Sequence, residues 1–172
     1  TVAAGTYSGN LTISKGIALR SVAGPATTIL IGTGGAAVKA ESNGVEITGF
    51  TIRNPSGTQG FYAKNRSQLL VSGNVFETIG TAQAAPSDAV CGVMVWCTST
   101  AVDTVVIRDN VMRLIESKAT TKSAHGVWIG DSTGSADLTG LLIQSNAISQ
   151  VTSARGAYGI VIGHARPPAN TG

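Results

Sequence analysis

A six-residue segment recurs along this chain, first as Val45-Glu46-Ile47-Thr48-Gly49-Phe50. Later copies start 24, 60 and 96 residues further on and read LLVSGN (69–74), VVIRDN (105–110) and LLIQSN (141–146). A second segment alternates with it, a glycine followed by three mostly apolar residues, at 60–63, 92–95, 126–129 and 159–162. Recurrence at a nearly fixed period in this range predicts one supersecondary unit stacked on copies of itself.

Both segments alternate β-branched and aliphatic residues, which favours short strands over helices. Three strands per turn, each parallel to its copies in the neighbouring turns, predict an all-β fold, a parallel β-helix of about five coils. The coils are predicted at residues 1–34, 35–59, 60–91, 92–125 and 126–158, with a partial coil at 159–172. With no break in composition, we expect a single domain over residues 1–172.

The period-two pattern also predicts which side chains share an inward column. One column comes from the first repeat, one from a later strand and one from the second repeat, and every member is apolar. They are Ile17, Val45, Leu69, Val105 and Leu141; Ile52, Phe76, Met112 and Ile148; and Ala36, Phe61, Val93, Val127 and Ile160.

Asn74, Asn110 and Asn146 recur at one position between two strands. Asparagine tolerates the left-handed backbone region that a sharp corner requires. Its amide can also hydrogen-bond along a stack. The pattern predicts a structural asparagine stack at a corner, and a row of ligand-binding amides is the alternative.

Composition bounds the class of protein. Charged residues make up 12 % of the 172 residues, against about 25 % in typical domains. The net charge is +3 and the basic residues are scattered, so nucleic-acid binding is not expected. No apolar run approaches the ~18 residues of a membrane span, so membrane insertion is not expected. The profile is typical of an extracellular or cell-surface β-protein.

The asparagine stack, the opening segment VAAGTYSGNLTI (2–13) and the segment GFTIRN (49–54) carry a resemblance. They resemble the right-handed parallel β-helix superfamily, which includes pectate lyases, polygalacturonases, pectin methylesterases and secreted bacterial repeat proteins. The resemblance implies a right-handed coil and a secreted protein. The Gly-Arg-Pro-Trp and Gly-x-x-Asp-Phe segments of the methylesterases are absent from this sequence.

Three residues are candidates for catalysis: Asp109, His125 and Asp131. His125-Gly126 resembles the Gly-His-Gly segment of polygalacturonases, although Ala124 precedes it. Glycoside hydrolysis needs two carboxylates on one face, and Asp109 and Asp131 fall on different faces. If the chain is an enzyme, a polysaccharide lyase, glycoside hydrolase or pectinesterase-like protein is the expected kind.

The nine acidic residues are dispersed, whereas Ca²⁺ is held by clustered oxygen ligands. No metal or cofactor is therefore expected, with a Ca²⁺ site as the alternative. Cys91 and Cys97 bracket a strand that would hold them about 20 Å apart, too far for a disulfide. We expect both to point inward, and a disulfide across a turn or to another chain is the alternative.

An outward strip joins most of the large aromatic side chains of the second repeat, and the sheet face it occupies should be wet. Such strips mark ligand or partner surfaces, and aromatic faces stack on sugar rings. The alternative is a long loop that folds over the strip. Its members, with a lysine beside them, are Tyr62, Met94, Trp96, Trp128 and Lys64.

These patterns predict a non-catalytic β-solenoid that acts as a surface, adhesive or filament-forming module. Its expected partners are copies of itself, joined end to end through strand edges or laterally through the strip, with polysaccharide as a further ligand. The alternatives are a pectin-degrading enzyme and a carbohydrate-binding module that uses Trp96 and Trp128.

Overall fold

The computed structural model describes residues 1–98, 100–130 and 137–163, and in these ranges the chain forms strands and turns with no helix. The strands are β1 (Gly5–Ser8), β2 (Leu11–Ile13), β3 (Ala18–Arg20), β4 (Thr28–Ile31), β5 (Ala36–Ala40), β6 (Glu46–Thr48), β7 (Thr51–Asn54), β8 (Gln59–Lys64), β9 (Leu69–Ser72), β10 (Val75–Ile79), β11 (Val90–Trp96), β12 (Val102–Arg108), β13 (Val111–Ser117), β14 (Ala124–Gly130), β15 (Leu138–Gln144), β16 (Ala147–Ile148), β17 (Val151–Ser153) and β18 (Ala157–Ile162).

The strands build three parallel sheets. The first sheet has the order β1-β4-β7-β10-β13-β16, with β17 also paired to β13; the second runs β2-β5-β8-β11-β14-β18; the third runs β3-β6-β9-β12-β15. The chain visits the three sheets in turn and returns to the first one coil further along. The predicted all-β fold, with parallel strands stacked three to a coil, is confirmed, and the strands make about six coils rather than five.

One strand lies outside the prediction. β1 has the sequence GTYS and pairs with β4, so the predicted first coil holds four strands instead of three. The segment lacks an apolar alternation because it lies in the outermost coil, where Thr6, Tyr7 and Ser8 are exposed.

Most predicted columns are confirmed by the strand register. Val105 pairs with both Leu69 and Leu141, and Phe76 pairs with both Ile52 and Met112. The column through β5 is wrong by two residues, because Val38 rather than Ala36 lies beside Phe61. The core therefore places the larger side chain, Val38, against the Phe61 ring, and both are fully buried.

A column of glycines interrupts the alternation of inward and outward side chains along the strands of the second sheet. Gly60, Gly92 and Gly126 face the interior, where a Cβ on Gly92 would lie 2.7 Å from the carbonyl oxygen of Gly126. Each strand bends there, so the residue before the glycine faces outward. The inward prediction for Cys91 is therefore wrong, since its buried side chain packs outside the sheet with Met94 and Trp128.

Cys97, at the other end of the same strand, does pack in the main core. Cys91 and Cys97 are not joined to each other by a disulfide. Burial raises the pKa of the Cys91 thiol well above its usual value. At neutral pH this thiol is therefore protonated and unreactive.

The three asparagines form a hydrogen-bonded ladder. Asn74 Nδ2 donates to Asn110 Oδ1 at 3.2 Å, and Asn110 Nδ2 donates to Asn146 Oδ1 at 2.9 Å. Each amide also donates to a carbonyl of the preceding coil, as Asn110 does to Val71. Asn74 and Asn110 are each 1 % exposed, so these bonds satisfy polar groups that water cannot reach.

The left-handed residue at this corner is the one before each asparagine, which differs from the prediction. Gly73, Asp109 and Ser145 have φ values of 60°, 57° and 52°, and Gly49, which precedes Phe50 at the same corner of an earlier coil, has 80°. The asparagine itself is free of that strain, and its side chain points inward. At these corners, one residue therefore makes the turn and the asparagine that follows it makes the hydrogen bonds.

Candidate functional site

The predicted aromatic strip runs across the outer face of the second sheet. Tyr62 pairs with Met94, Met94 with Trp128, and Trp128 with Val161. Trp96 lies beside Lys64 on one side and Gly130 on the other. Lys39 of β5 lies beside Tyr62.

Two members of the strip are buried, although the sequence predicted that this sheet face is exposed to solvent. Met94 is 2 % exposed and Trp128 is 9 % exposed. Ala89, the last residue of the connection between β10 and β11, packs on them together with Cys91. Tyr62 and Trp96 are half-buried, so the strip is an outer apolar cluster that a connection partly covers.

Three connections surround a cleft beside this cluster. The cleft has a volume of about 490 Å³, which is in the usual range for ligand sites. Its aromatic floor is made by His125, Trp128 and Tyr158, and Val161 adjoins it. Its rim comes from the β10–β11, β13–β14 and β17–β18 connections: Asp88, Ala89, Thr121, Lys122, Ser123 and Arg155.

The floor is a stack of three rings. His125 lies between Trp128, at 4.8 Å and an interplanar angle of 23°, and Tyr158, at 5.1 Å and 17°. Trp96 meets the Trp128 ring edge-on at 5.1 Å. Tyr158 is 49 % exposed, so one aromatic surface of the floor remains open to solvent.

His125 is held as a neutral side chain. Its Nε2 lies 2.7 Å from the Ser123 hydroxyl, and burial lowers its pKa to about 4. Its Nδ1 is buried and has no hydrogen-bond partner among the described residues. The Trp128 Nε1 hydrogen is likewise buried and without an acceptor in the described part of the chain.

Two unpaired nitrogens under one cleft are unusual. An unsatisfied buried polar group costs about 1–3 kcal/mol, and native structures hold few of them. The cleft itself, with its ring stack and polar rim, can recognise a molecule that has an apolar face and oxygen atoms.

The catalytic candidates do not converge on the cleft. His125 lies in its floor, but Asp109 is a corner residue after β12 in the third sheet, where it pairs with Arg108 at 3.1 Å. Asp131 lies outside the described residues. Asp88 is the one carboxylate among the described residues that line the cleft.

No three His, Cys, Asp or Glu side chains in the described ranges lie close enough together to hold a metal ion. No helix of the described chain is long and apolar enough to cross a membrane.

Lys122, Arg155 and Tyr158 were missed by the sequence reasoning. The strand register carried a signal for Tyr158, because it occupies the column of Cys91 and His125. Lys122 and Arg155 lie in connections of irregular length, and only the folded chain shows that these meet at one cleft.

The chain matches no protein-family model, no curated protein and no solved structure. The site's own geometry is therefore the basis of the functional conclusion.

Proposed function

We propose that this β-solenoid binds a carbohydrate in the cleft on its second sheet. The observation that carries the proposal is the ring stack of Trp128, His125 and Tyr158, with an open Tyr158 face and a polar rim around it. Sugar rings offer an apolar face that stacks on aromatic rings. Their hydroxyl oxygens would accept or donate hydrogen bonds at the floor and rim.

The rim supports the same class of ligand. Asp88 offers a carboxylate that accepts hydrogen bonds from hydroxyl groups, and Lys122 and Arg155 offer donors. Charged and neutral polar groups thus surround an aromatic surface, the usual arrangement of a small-molecule site. Because the rim carries side chains of both charge signs, it does not select for a ligand of one charge.

We infer a binding role rather than a catalytic one. Both common forms of glycoside hydrolysis use two carboxyl groups that flank the bond to be cleaved. Among the described cleft residues Asp88 is the only carboxylate, and Asp109 belongs to another sheet. A neutral, buried His125 fits a structural part of the floor.

Isothermal titration of the full chain with neutral and acidic oligosaccharides tests the proposal. Tyr158→Ala should weaken binding by about tenfold, equivalent to about 1.4 kcal/mol, because it removes the open stacking surface. Tyr7→Ala is the matched control, since Tyr7 has a similar exposure of 42 % but lies in the first sheet. Equal affinities for the two variants, or no binding to any glycan, would contradict the proposal.

Self-association is a second candidate function, favoured by the outer coils. Ile160 and Ile162 continue interior columns at the last strand of the second sheet yet are 47 % and 56 % exposed. The opposite outer coil has an apolar hollow of about 350 Å³, lined by residues that include Val2, Leu11 and Leu19. Both faces end in parallel strand edges, which pair readily with other chains.

We therefore propose that copies stack end to end, continuing the three sheets. Light scattering over a range of concentrations should show a mass that increases with concentration. Ile162→Lys should reduce it, because a charge would be buried at the junction. Arg108→Gln, at an exposed position of β12 in an inner coil, is the control. A constant monomer mass at high concentration excludes this second candidate.

We propose a right-handed coil, because crossovers between parallel neighbours in one sheet are right-handed in nearly all proteins. The likeness to the pectate lyase-like superfamily and an extracellular or cell-surface location are part of the same proposal. The low charged fraction of 12 % supports the location.

A further inference from the structure

A second pocket lies on the same sheet, at the other end of the strip. It has a volume of about 300 Å³ and is lined by Lys39, Ala40, Glu41, Tyr62, Lys64, Asn65 and Arg66. Three of these side chains are cationic and one is a carboxylate. The Lys39 ammonium is paired with Glu41 at 2.6 Å, so the remaining positive charge belongs to Lys64 and Arg66.

The Arg66 guanidinium is held in place before any ligand arrives. The preceding residue, Asn65, turns the chain with φ 53°, and its amide exchanges two hydrogen bonds of 2.8 Å with Thr98. Arg66 Nη1 donates to the Asn65 carbonyl oxygen at 3.1 Å. The turn therefore fixes the base of the Arg66 side chain, and the Asn65 carbonyl holds its tip.

Apart from the Asn65 carbonyl, this guanidinium has no acceptor among the described residues. Its Nε is buried and has no hydrogen-bond partner in the described chain. No carboxylate of the described ranges lies within 4.0 Å of Arg66 or Lys64. An anchored arginine with no carboxylate partner and a second cation beside it is an arrangement that binds tetrahedral oxyanions, because the planar guanidinium matches two of their oxygens.

We propose that Arg66 and Lys64 bind a tetrahedral oxyanion, a sulfate or phosphate ester, in this pocket. The Arg66 fork contacts two oxygens, Lys64 supplies a point charge, and the Tyr62 hydroxyl supplies a further donor. Burial raises the pKa of Tyr62, which keeps that hydroxyl protonated.

The cleft and the Arg66 pocket lie along one line that crosses the strands of the second sheet. Tyr62 on β8 and Trp128 on β14 are separated by β11, which places their strands about 10 Å apart. A chain that crosses the strands could place a ring in the cleft and its charged substituent beside Arg66. In this form the inference rests on the proposed function and specifies a glycan esterified with sulfate or phosphate.

The oxyanion site is tested without any glycan. We expect inorganic sulfate and inorganic phosphate to bind the full chain saturably in calorimetry at low ionic strength. Arg66→Gln should raise the Kd by about tenfold. Arg66→Lys keeps the charge but loses the fork, and should raise the Kd by about threefold. Arg108→Gln, an exposed arginine of the third sheet, should leave the Kd within about twofold, since a distant surface charge contributes little.

Glucose 6-sulfate and glucose 6-phosphate distinguish the two sources. The phosphate ester loses charge near pH 6, so its affinity should decrease between pH 7.5 and 5 while that of the sulfate ester remains. Binding of either ester that Arg66→Gln weakens supports the inference. Absence of oxyanion binding, or binding unaffected by Arg66→Gln, overturns it.

The same experiments separate this inference from the proposed function. If neutral oligosaccharides bind in a Tyr158-dependent way and no oxyanion binds, carbohydrate binding stands and the oxyanion site fails. If inorganic sulfate binds through Arg66 and no glycan binds, the oxyanion site stands and the carbohydrate proposal fails.

Discussion

Asp109 has a left-handed backbone, with φ 57°, at a corner where the earlier coils use Gly49 and Gly73. A residue with a Cβ pays for this conformation with about 1–2 kcal/mol of steric strain. The nearby Arg108 guanidinium is about half exposed, so the ion pair between them adds little stability. The position of Asp109 is thus explained by a turn, without a catalytic role.

Substitutions of Asp109 test whether its left-handed backbone stores this strain. Asp109→Gly should leave the protein equally or slightly more stable, because glycine removes the strain at some cost in unfolded-state entropy. Asp109→Ala should be less stable than Asp109→Gly by about 1 kcal/mol. Urea denaturation of the two variants measures the difference. If the alanine variant is the more stable of the two, the corner does not store this strain.

At the scale of single strands, the interior glycines Gly60, Gly92 and Gly126 turn the side chain before each of them outward, and His125 thereby joins the cleft. A Cβ on Gly126 would lie 2.6 Å from the Gly159 carbonyl oxygen and 2.6 Å from Ile148 Cγ2. Such contacts require the backbone of two coils to move apart. Because this bend also turns His125 outward beneath Tyr158, the same glycine supports both packing and the floor of the cleft.

Gly126→Ala should therefore destabilise the fold by about 3 kcal/mol or more, the upper range for overpacking. The matched control is Gly159→Ala in the same column, where no heavy atom of the described chain lies within 4 Å of the added Cβ. That variant should change the free energy of unfolding by about 0.5 kcal/mol or less, as surface substitutions do. Equal losses in thermal denaturation of the two variants would show that interior contact is not the cause.

At the scale of the whole molecule, two buried titratable groups of the described ranges make stability depend on acid pH. Burial lowers the pKa of His125 to about 4, below its unfolded value. Burial alone raises the pKa of Glu77, but hydrogen bonds from Arg113 and Arg53 outweigh it and lower the net value. Glu77 joins β7, β10 and β13 across the outer face of the first sheet.

The two groups act in different pH ranges. The unfolded chain binds the His125 proton first, so stability should decrease as the pH falls from about 6.5 to about 4, by up to about 3 kcal/mol. Glu77 contributes stability above about pH 4.5 and loses it below. His125→Gln should flatten the pH dependence of urea unfolding between pH 6.5 and 4.5. An unchanged slope in His125→Gln would contradict the assignment.

Much of the architecture could be predicted because stacking makes it periodic. Val105, for example, lies between Leu69 and Leu141, and that pairing follows from the recurrence of one apolar pattern. The column through β5 could not be predicted in this way. The segment GGAAVKA offers several small residues, and the volume of the Phe61 ring selects Val38 as its neighbour.

The sequence by itself determined the three-strand coil, most of the inward columns and the asparagine ladder, because each depends on residues that repeat at a local period. Only the tertiary structure decided which outer sheet faces are exposed to solvent. Met94 and Trp128 alternate outward along their strands, yet Ala89 and the ring stack bury them. The cleft and the Arg66 pocket arise where connections of unequal length meet, and the contacts between such connections depend on the packing of the whole chain rather than on any repeated pattern.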